Sequence, residues 1–134
     1  ILITLVSNSW SAFLQDNGNG SVTDFDTGLV WQQLDDNVLH DWNAAISYCN
    51  GLALAGKSDW RLPNIKELSS IVDYRVDRPS IDKVFFPDTK VFSYWSASSD
   101  ASDNDSAWAV RFERGYTGTG LKIYTDYAYA RCVR

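Results

Sequence analysis

Short apolar runs separated by turn residues fill the first third of the chain. The opening run ILITLV predicts a strand at residues 1–6, because it is too short for a transmembrane helix or for the core of a signal peptide. Residues 12–15 and 21–24 flank the sequence DNGNG, in which Asn-Gly pairs accept positive φ angles at little cost. We therefore expect a β-hairpin there, followed by a third short strand at residues 29–32.

Helical periodicity replaces this pattern in two segments. The first is predicted to begin at the N-cap Asp41 and to end at Gly56. Its apolar positions recur every three or four residues and are Trp42, Ala45, Ile46, Cys49, Leu52 and Ala53. The second helix is predicted to have Asn64 as N-cap and Glu67 at the reciprocal position of a capping box, and to end near Tyr74.

The rest of the chain lacks helical periodicity. Residues 75–90 are predicted to form a long ordered loop or a pair of short turns, which Phe85 and Phe86 hold in place. After this loop, apolar runs between turn residues predict strands at residues 94–97, 107–112, 121–124 and 129–133. The order of hairpin, two helices, loop and antiparallel strands describes one α+β domain spanning residues 1–134.

Composition and charge exclude one class of partner. The chain has 134 residues, enough for one domain that buries roughly two thirds of its unfolded surface. Its net charge of −5 argues against a nucleic-acid partner, which would need a concentrated basic patch. Residues 1–93 carry 12 acidic and 7 basic side chains, whereas residues 94–134 carry 5 of each. The acidic character therefore belongs to the scaffold, and the C-terminal segment presents mixed charge.

Few residues could carry catalysis. His40 is the single histidine and is expected to be a cap or surface residue, while Asp35 and Asp36 are adjacent and are expected to be solvated. Phosphate-binding glycine motifs and closely spaced thiols are missing from the sequence. The DNGNG turn faintly resembles a calcium loop but lacks the later bidentate Glu, so a plain turn is favoured. We expect no enzymatic activity, no cofactor and no metal.

The two cysteines, Cys49 and Cys132, allow two interpretations. They are far from any His pair, so a zinc site is disfavoured. They are either two buried free thiols or one disulfide that ties the first helix to the C-terminal strand. Closing so long a loop would stabilise the fold by roughly 4.5 kcal/mol on chain-entropy grounds and would imply an oxidising or extracellular setting.

The sequence DWRLPN at residues 59–64 predicts a corner before the second helix. Trp60 and Leu62 are expected to be buried, and the proline orients the chain into the helix. Arg61 is interpreted as a structural clamp, because its planar guanidinium suits a buried pair with a carboxylate or with carbonyl groups.

The C-terminal segment, residues 94–134, has the composition of a binding surface. It combines five of the seven tyrosines with many Ser, Gly and Asp residues, the mixture that antibody loops use. The alternative is a solvated β-meander whose tyrosines simply suit strands.

Motifs spread along nearly the whole chain resemble the domain family named after the C-terminal part of a Legionella collagen-like adhesin. Each motif is modest, but their shared order is specific. The motifs are DNGNG with Val22-Thr23-Asp24, Thr27-Gly28-Leu29-Val30-Trp31-Gln32, Trp42 with Ala45 and Cys49, Asp59-Trp60-Arg61-Leu62-Pro63, Glu67-Leu68, Tyr94-Trp95-Ser96, Ala107-Trp108, Gly115, and Arg131-Cys132-Val133-Arg134. The resemblance implies a C-type-lectin-like fold, with two helices packed on small antiparallel sheets beside a long irregular loop region. It also implies a Cys49–Cys132 bridge.

The family includes variable proteins of diversity-generating retroelements, whose C-terminal segment changes at chosen positions while a frame is kept. The frame residues that match are Trp95, Trp108, Val110, Phe112, Gly115, Tyr129, Arg131 and Cys132. The candidate ligand-binding residues that the resemblance implies are Arg111, Glu113, Arg114, Tyr116, Thr119, Leu121, Ile123, Tyr124, Thr125 and Tyr127. Strand alternation adds that Val110 and Phe112 share one face, which leaves Arg111 and Glu113 on the other.

The expected function is therefore binding of a protein or other macromolecule on a cell or virion surface, without membrane insertion by this chain. Two alternatives remain. An adhesin for sulfated or acidic glycans would need Arg111, Arg114 and Lys122 to converge. An enzyme of the formylglycine-generating type would need reactive thiols at the two cysteines. The Glu-Pro-Asn, Gln-Pro-Asp and Trp-Asn-Asp motifs of calcium-dependent lectins do not occur, so a calcium-bridged sugar is not expected.

Overall fold

Two three-stranded antiparallel sheets and two helices make up residues 13–134, the part of the chain that the computed structural model describes. The strand predicted at residues 1–6 lies outside the described residues. The first sheet has the order β1-β2-β3 and the second β4-β5-β6. The elements are β1 (Leu14–Asp16), β2 (Ser21–Asp24), β3 (Val30–Gln32), α1 (Trp42–Asn50), α2 (Ile65–Ser70), β4 (Ser93–Asp100), β5 (Asp103–Arg111) and β6 (Tyr116–Leu121). The predicted α+β class is confirmed.

The predicted hairpin is present and is closed by its own turn residues. Gly18 and Gly20 have φ angles of 70° and 88°, the left-handed region that glycine tolerates best. The Gly18 amide donates to the Asp16 carboxylate at 2.9 Å, and the Ser21 amide donates to the Asn19 side chain at 3.1 Å. These short-range bonds explain why the hairpin could be predicted from sequence.

Both helices begin at the predicted caps but end earlier than predicted. Asp41 accepts the Ala44 amide at 2.7 Å, and Asn64 and Glu67 form the complete capping box. The first helix ends at Asn50, because the chain turns back after it and Leu54 exchanges two backbone hydrogen bonds with Lys57. The second ends at Ser70. The following residues leave the helix to enter the core, where the Asp73 amide donates to the Ser80 carbonyl at 2.9 Å.

The strand predicted at residues 121–124 is wrong, because β6 occupies Tyr116–Leu121 instead. The glycines of β6 suggest a turn when only the sequence is considered, but they lie within the strand. A Cβ atom on Gly120 would lie 2.4 Å from the Tyr127 ring, so this strand position requires glycine to admit an aromatic side chain from the following loop.

The last predicted strand, residues 129–133, is an extended segment that pairs with its neighbours through isolated β-bridges and not as a regular strand. It links both sheets. The Trp95 amide donates to the Tyr129 carbonyl at 2.9 Å, and Val30 and Arg134 exchange two backbone hydrogen bonds. The Cys49–Cys132 disulfide joins this segment to α1 across 83 positions of sequence. The implied bridge is therefore present, but it ends on an irregular segment rather than on a regular strand.

The loop that precedes β4 is irregular, as predicted, and is fastened to the second sheet. Phe86 is fully buried and Phe85 is partly buried. The Ser80 amide donates to the Phe112 carbonyl at 2.7 Å, and the Arg78 amide donates to the Glu113 carbonyl at 2.8 Å. The loop therefore supports the turn between β5 and β6.

The corner at residues 59–64 packs as expected, with Trp60 and Leu62 only 2% and 3% exposed. Arg61 makes a bidentate pair with Glu67, at 2.7 Å for each bond. The clamp is confirmed, but its guanidinium lies at the surface rather than in the buried setting that we predicted, since the Arg61 side chain is 46% exposed.

Arg131 is the centre of a buried polar cluster. Its side chain is 1% exposed and stacks on Phe86 and Tyr94. It also bonds four acceptors: the carbonyls of Gln32 and Gln33, the Asp88 carboxylate and the Thr89 hydroxyl. One side chain thus joins the C-terminal segment, the first sheet and the long loop.

Asp35 completes this cluster and differs from the solvated residue that we predicted. Its side chain is fully buried and accepts from Lys90 at 2.8 Å and from the Tyr94 hydroxyl. Burial alone would raise the pKa of Asp35, but the bonds from Lys90 and Tyr94 and the charge of Arg131 outweigh it and hold this pKa below its usual value. The cluster therefore favours an ionised carboxylate.

We expect Asp35→Asn to lower the free energy of unfolding at pH 7 by about 2 kcal/mol. Because the folded-state pKa of Asp35 is depressed, its stabilisation is complete above the unfolded-state pKa of about 3.9 and is lost as pH falls through the folded-state pKa. The difference between the two proteins should therefore shrink from pH 5 to pH 2.5. Urea unfolding followed by Trp fluorescence measures it.

Asp59→Asn is the control, because the Asp59 side chain is 64% exposed and pairs with Arg134 at the surface. It should change the free energy of unfolding far less than Asp35→Asn does, because an exposed ion pair is screened by solvent. A difference between wild type and Asp35→Asn that is as large at pH 2.5 as at pH 7 would contradict the assignment.

Candidate functional site

One face of the β5–β6 pair consists largely of small residues. In the register, Arg111 lies opposite Tyr116, Ala109 opposite Gly118, and Ala107 opposite Gly120. Directly opposed residues share a face of an antiparallel sheet. We call the face formed by these six residues the glycine face. Its centre offers little side-chain bulk, so other side chains can lie flat on it.

Tyr127 and Arg111 cover the glycine face. The Tyr127 ring lies on Gly120, stands 4.9 Å from the Trp95 ring, and its hydroxyl donates to the Thr119 carbonyl at 3.1 Å. The Arg111 Nε atom lies 3.1 Å from where a Cβ of Gly118 would stand. Both side chains therefore occupy space that the glycines of β6 leave free.

An open cleft of about 540 Å³ adjoins these two side chains. Its walls come from the residues before β4, the end of β5 and the loop after β6. The lining residues are Val91, Phe92, Ser93, Arg111, Glu113, Tyr124, Asp126 and Tyr127. Phe92 is 43% exposed and Tyr124 is 44% exposed. The cleft therefore offers aromatic surface beside charged groups, a combination suited to binding.

The cleft brings together four of the ten predicted ligand-binding residues, namely Arg111, Glu113, Tyr124 and Tyr127. Tyr116 lies beside them, because it is opposite Arg111 in the register and is 63% exposed. The predicted alternation is confirmed: Val110 and Phe112 are fully buried, whereas Arg111 and Glu113 are exposed.

The other five predicted residues lie elsewhere. Thr119 and Leu121 are opposite Trp108 and Ser106, so they belong to the reverse face of the sheet. Arg114, Ile123 and Thr125 are exposed on the turns that flank β6 and do not line the cleft.

Sequence reasoning missed the wall formed by Val91, Phe92 and Ser93. These residues fall between the predicted loop and the predicted strand, and no periodicity marks them. Asp126 was missed as well. The one available signal was the pair of apolar residues directly before a strand, which is equally typical of core packing.

The charged groups of the cleft differ in how they are paired. Glu113 forms an ion pair with Arg78 at 3.0 Å. Arg111 makes no ion pair and no side-chain hydrogen bond with residues 13–134. Lys122 stacks over the Trp42 ring at 4.3 Å and donates to the Asn104 carbonyl, so it does not converge with Arg111.

Other candidate chemistry is limited in the described residues. The prediction that His40 is a cap or surface residue is wrong. Its side chain is only 13% exposed, bonds to Asp36 at 2.7 Å and stacks on Tyr48. Within residues 13–134 no three His, Cys, Asp or Glu side chains are grouped as metal ligands. Neither helix in this part of the chain has the length and apolarity needed to cross a membrane.

A family described as the Lcl C-terminal domain matches residues 20–134. No curated protein matches the chain.

Proposed function

Because the chain belongs to the Lcl C-terminal domain family, we propose that it is a non-enzymatic domain that binds a macromolecule through the cleft between Phe92, Arg111 and Tyr124. The observation that carries this proposal is the open cleft itself, in which half-exposed aromatic rings stand beside an arginine. Tyr and Arg are among the residues that dominate binding hot spots.

The separation of a rigid frame from an exposed face supports a more specific proposal. The frame residues Phe112, Arg131 and Cys132 are buried, whereas Arg111, Tyr116 and Tyr124 are exposed. Such a molecule can change its surface residues without losing its core. We propose that the fold is C-type-lectin-like and that the chain is a variable protein of a diversity-generating retroelement. A neighbouring reverse-transcriptase gene and a near-copy of the coding sequence of residues 94–134 would test this.

The disulfide supports an extracellular location, on a cell or virion surface, because such bridges persist in oxidising compartments. It also bears on the enzymatic alternative. An enzyme of the formylglycine-generating type would need thiols that are free, and here Cys49 and Cys132 are joined. A glycan adhesin receives less support than a protein-binding domain, since Lys122 is engaged with Trp42 away from the cleft.

We expect the double variant Tyr116→Ala, Tyr124→Ala to stay folded and to bind its macromolecular ligand about 30-fold more weakly, a loss of about 2 kcal/mol. Both side chains are largely exposed, so their removal leaves the core intact. Ligands can be selected with the immobilised domain from displayed proteins and from an array of sulfated glycans. Surface plasmon resonance then compares the variants.

Phe25→Ala is the matched control, because Phe25 is an aromatic residue that is 56% exposed beside the first sheet. Its binding should equal that of the wild type. Unchanged binding by the double tyrosine variant, or an equal loss with Phe25→Ala, would contradict the proposal. Binding to sulfated glycans that weakens steeply with salt would instead favour the adhesin.

A further inference from the structure

We propose that the cleft recognises the carboxylate of a Glu or Asp side chain that neighbours an aromatic or aliphatic residue in a protein ligand, with Arg111 as the carboxylate-binding group. This inference rests on the proposed binding function and adds the chemistry of the epitope. Its support comes from the pairing of arginines, the position of Arg111 over Gly118, and the apolar walls of the cleft.

Arg111 differs from most arginines of this chain in its lack of a partner. Five others pair with carboxylates, and these are Arg61, Arg75, Arg78, Arg131 and Arg134. Within residues 13–134, Arg111 and Arg114 have no such pair, and of these two only Arg111 lines the cleft. A guanidinium with free donors beside a cleft matches the bidentate geometry of a carboxylate.

Gly118 leaves room for the Arg111 side chain on the glycine face. If Gly118 carried a Cβ atom, this atom would stand only 3.1 Å from the Arg111 Nε atom. The absence of that Cβ lets the arginine lie along the strand beside the cleft.

Apolar surface lies beside this charged group. Val91 and Phe92 are 44% and 43% exposed on one wall, and the Tyr124 ring stands 6.2 Å from that of Tyr127 on another. An aromatic or aliphatic side chain of a ligand can bury this surface while the neighbouring carboxylate reaches Arg111. The apolar contact alone, or the carboxylate contact alone, would bind the ligand weakly.

Two carboxylates in the cleft repel an acidic ligand, and they differ in how far their charge is compensated by a partner. Glu113 is ion-paired with Arg78, so its charge is largely compensated. Asp126 is exposed and has no ion pair with residues 13–134. Repulsion by an exposed charge is screened by solvent and salt, whereas a bidentate contact with Arg111 is direct. We therefore expect attraction to exceed repulsion, and Asp126→Asn should strengthen binding of an acidic peptide.

The test uses tetrapeptides with blocked ends, so that only the side chain differs in charge. The peptides acetyl-Gly-Glu-Phe-Gly-amide and acetyl-Gly-Gln-Phe-Gly-amide are titrated to millimolar concentration and followed by two-dimensional NMR of the 15N-labelled domain. We expect the Glu peptide to bind about fivefold more tightly or better, with shifts confined to the cleft. Equal affinities, or no binding of the Glu peptide, would overturn the proposal.

Three variants connect the preference for Glu to Arg111. Arg111→Gln should abolish the preference for the Glu peptide, because it removes the guanidinium. Gly118→Ala should reduce it, because the new methyl group displaces the Arg111 side chain without straining the backbone of Gly118. Arg134→Gln removes the same charge from an exposed pair with Asp59 and should leave the preference unchanged. A preference that survives Arg111→Gln, or that disappears in Arg134→Gln, would contradict the assignment.

The outcomes separate this inference from the function on which it rests. If the peptides show no preference but Tyr116→Ala, Tyr124→Ala still loses its macromolecular ligand, the carboxylate assignment fails alone. If the preference is present but the double tyrosine variant binds normally, the macromolecular site lies elsewhere and the proposed function fails.

Discussion

Removal of the Cys49–Cys132 disulfide is expected to lower the free energy of unfolding by about 4 kcal/mol. The bridge closes a loop with a sequence separation of 83, which includes α2 and all of the second sheet. A cross-link of this span strongly restricts the unfolded chain. For a domain of this size the melting temperature should fall by about 15 °C.

The bridge lies where three parts of the fold meet. Cys49 and Cys132 are fully buried. The backbone amide of Cys132 donates to the side-chain oxygen of Gln32 at 2.9 Å. The backbone amide of Gln32 in turn donates to the Cys132 carbonyl at 2.9 Å. The disulfide therefore fixes α1 and the C-terminal segment to the first sheet at one point.

Calorimetry of the oxidised domain with and without reductant measures this effect, and Cys49→Ser, Cys132→Ser is the matched control. The double variant should melt near the temperature of the reduced wild type and should not respond to reductant. Equal melting of the oxidised and reduced wild type would show that the bridge does not stabilise the fold.

Arg131→Met is expected to lower the free energy of unfolding by about 3–5 kcal/mol, which is the second large effect. Methionine keeps much of the apolar contact with Phe86 and Tyr94 but supplies no donors. Four acceptors then lose a bond, and within residues 13–134 the Asp35 and Asp88 carboxylates keep only Lys90 as a nearby cation. A buried carboxylate without its partner costs more than the pair contributes when intact.

Urea unfolding compares Arg131→Met with two other variants. Arg131→Lys keeps the charge but not the planar guanidinium. We therefore expect it to lower the free energy of unfolding by about half as much as Arg131→Met does. Arg134→Met removes an arginine close by in sequence whose partner, Asp59, is exposed, and it should lower the free energy of unfolding far less than Arg131→Met does. A loss with Arg134→Met as large as that with Arg131→Met would show that burial of the cluster is unimportant.

These two effects concern the frame, whereas the proposed ligand contacts concern exposed side chains. Cys132 and Arg131 are at most 1% exposed, and neither lines the cleft. Substitution of Tyr116 or Tyr124 should alter binding with little change in stability, and substitution of Arg131 should do the reverse. The same short C-terminal segment thus divides into residues that hold the fold and residues that are available to a ligand.

The helix starts and the first hairpin, which depend on neighbours in sequence, were predicted correctly. Asp41 caps an amide three residues away, and Asn64 and Glu67 cap each other across the same distance. The DNGNG hairpin closes through bonds between residues at most six apart. Such interactions form whenever the local pattern is present, so the sequence is sufficient to identify them.

Features that depend on distant neighbours were missed or misplaced. Gly120 lies in a strand because the Tyr127 ring needs its space, and nothing within β6 reveals that requirement. Arg131 was identified as a frame residue through a family resemblance, but its bonds to Gln32 and Gln33 span 99 and 98 positions. Asp35 has the sequence context of a solvated acid and becomes buried only through Lys90, Tyr94 and Arg131.

The amino-acid sequence alone was enough to predict the α+β class, the helix starts, the first hairpin and the alternation that exposes Arg111 and Glu113. It was not enough to predict which exposed residues form one site. Membership of the site depends on strand register, which places Thr119 and Leu121 on the reverse face, and on the segment before β4, which adds Phe92. Caps and turns are satisfied within a few residues, whereas a cleft exists only between segments that packing brings together.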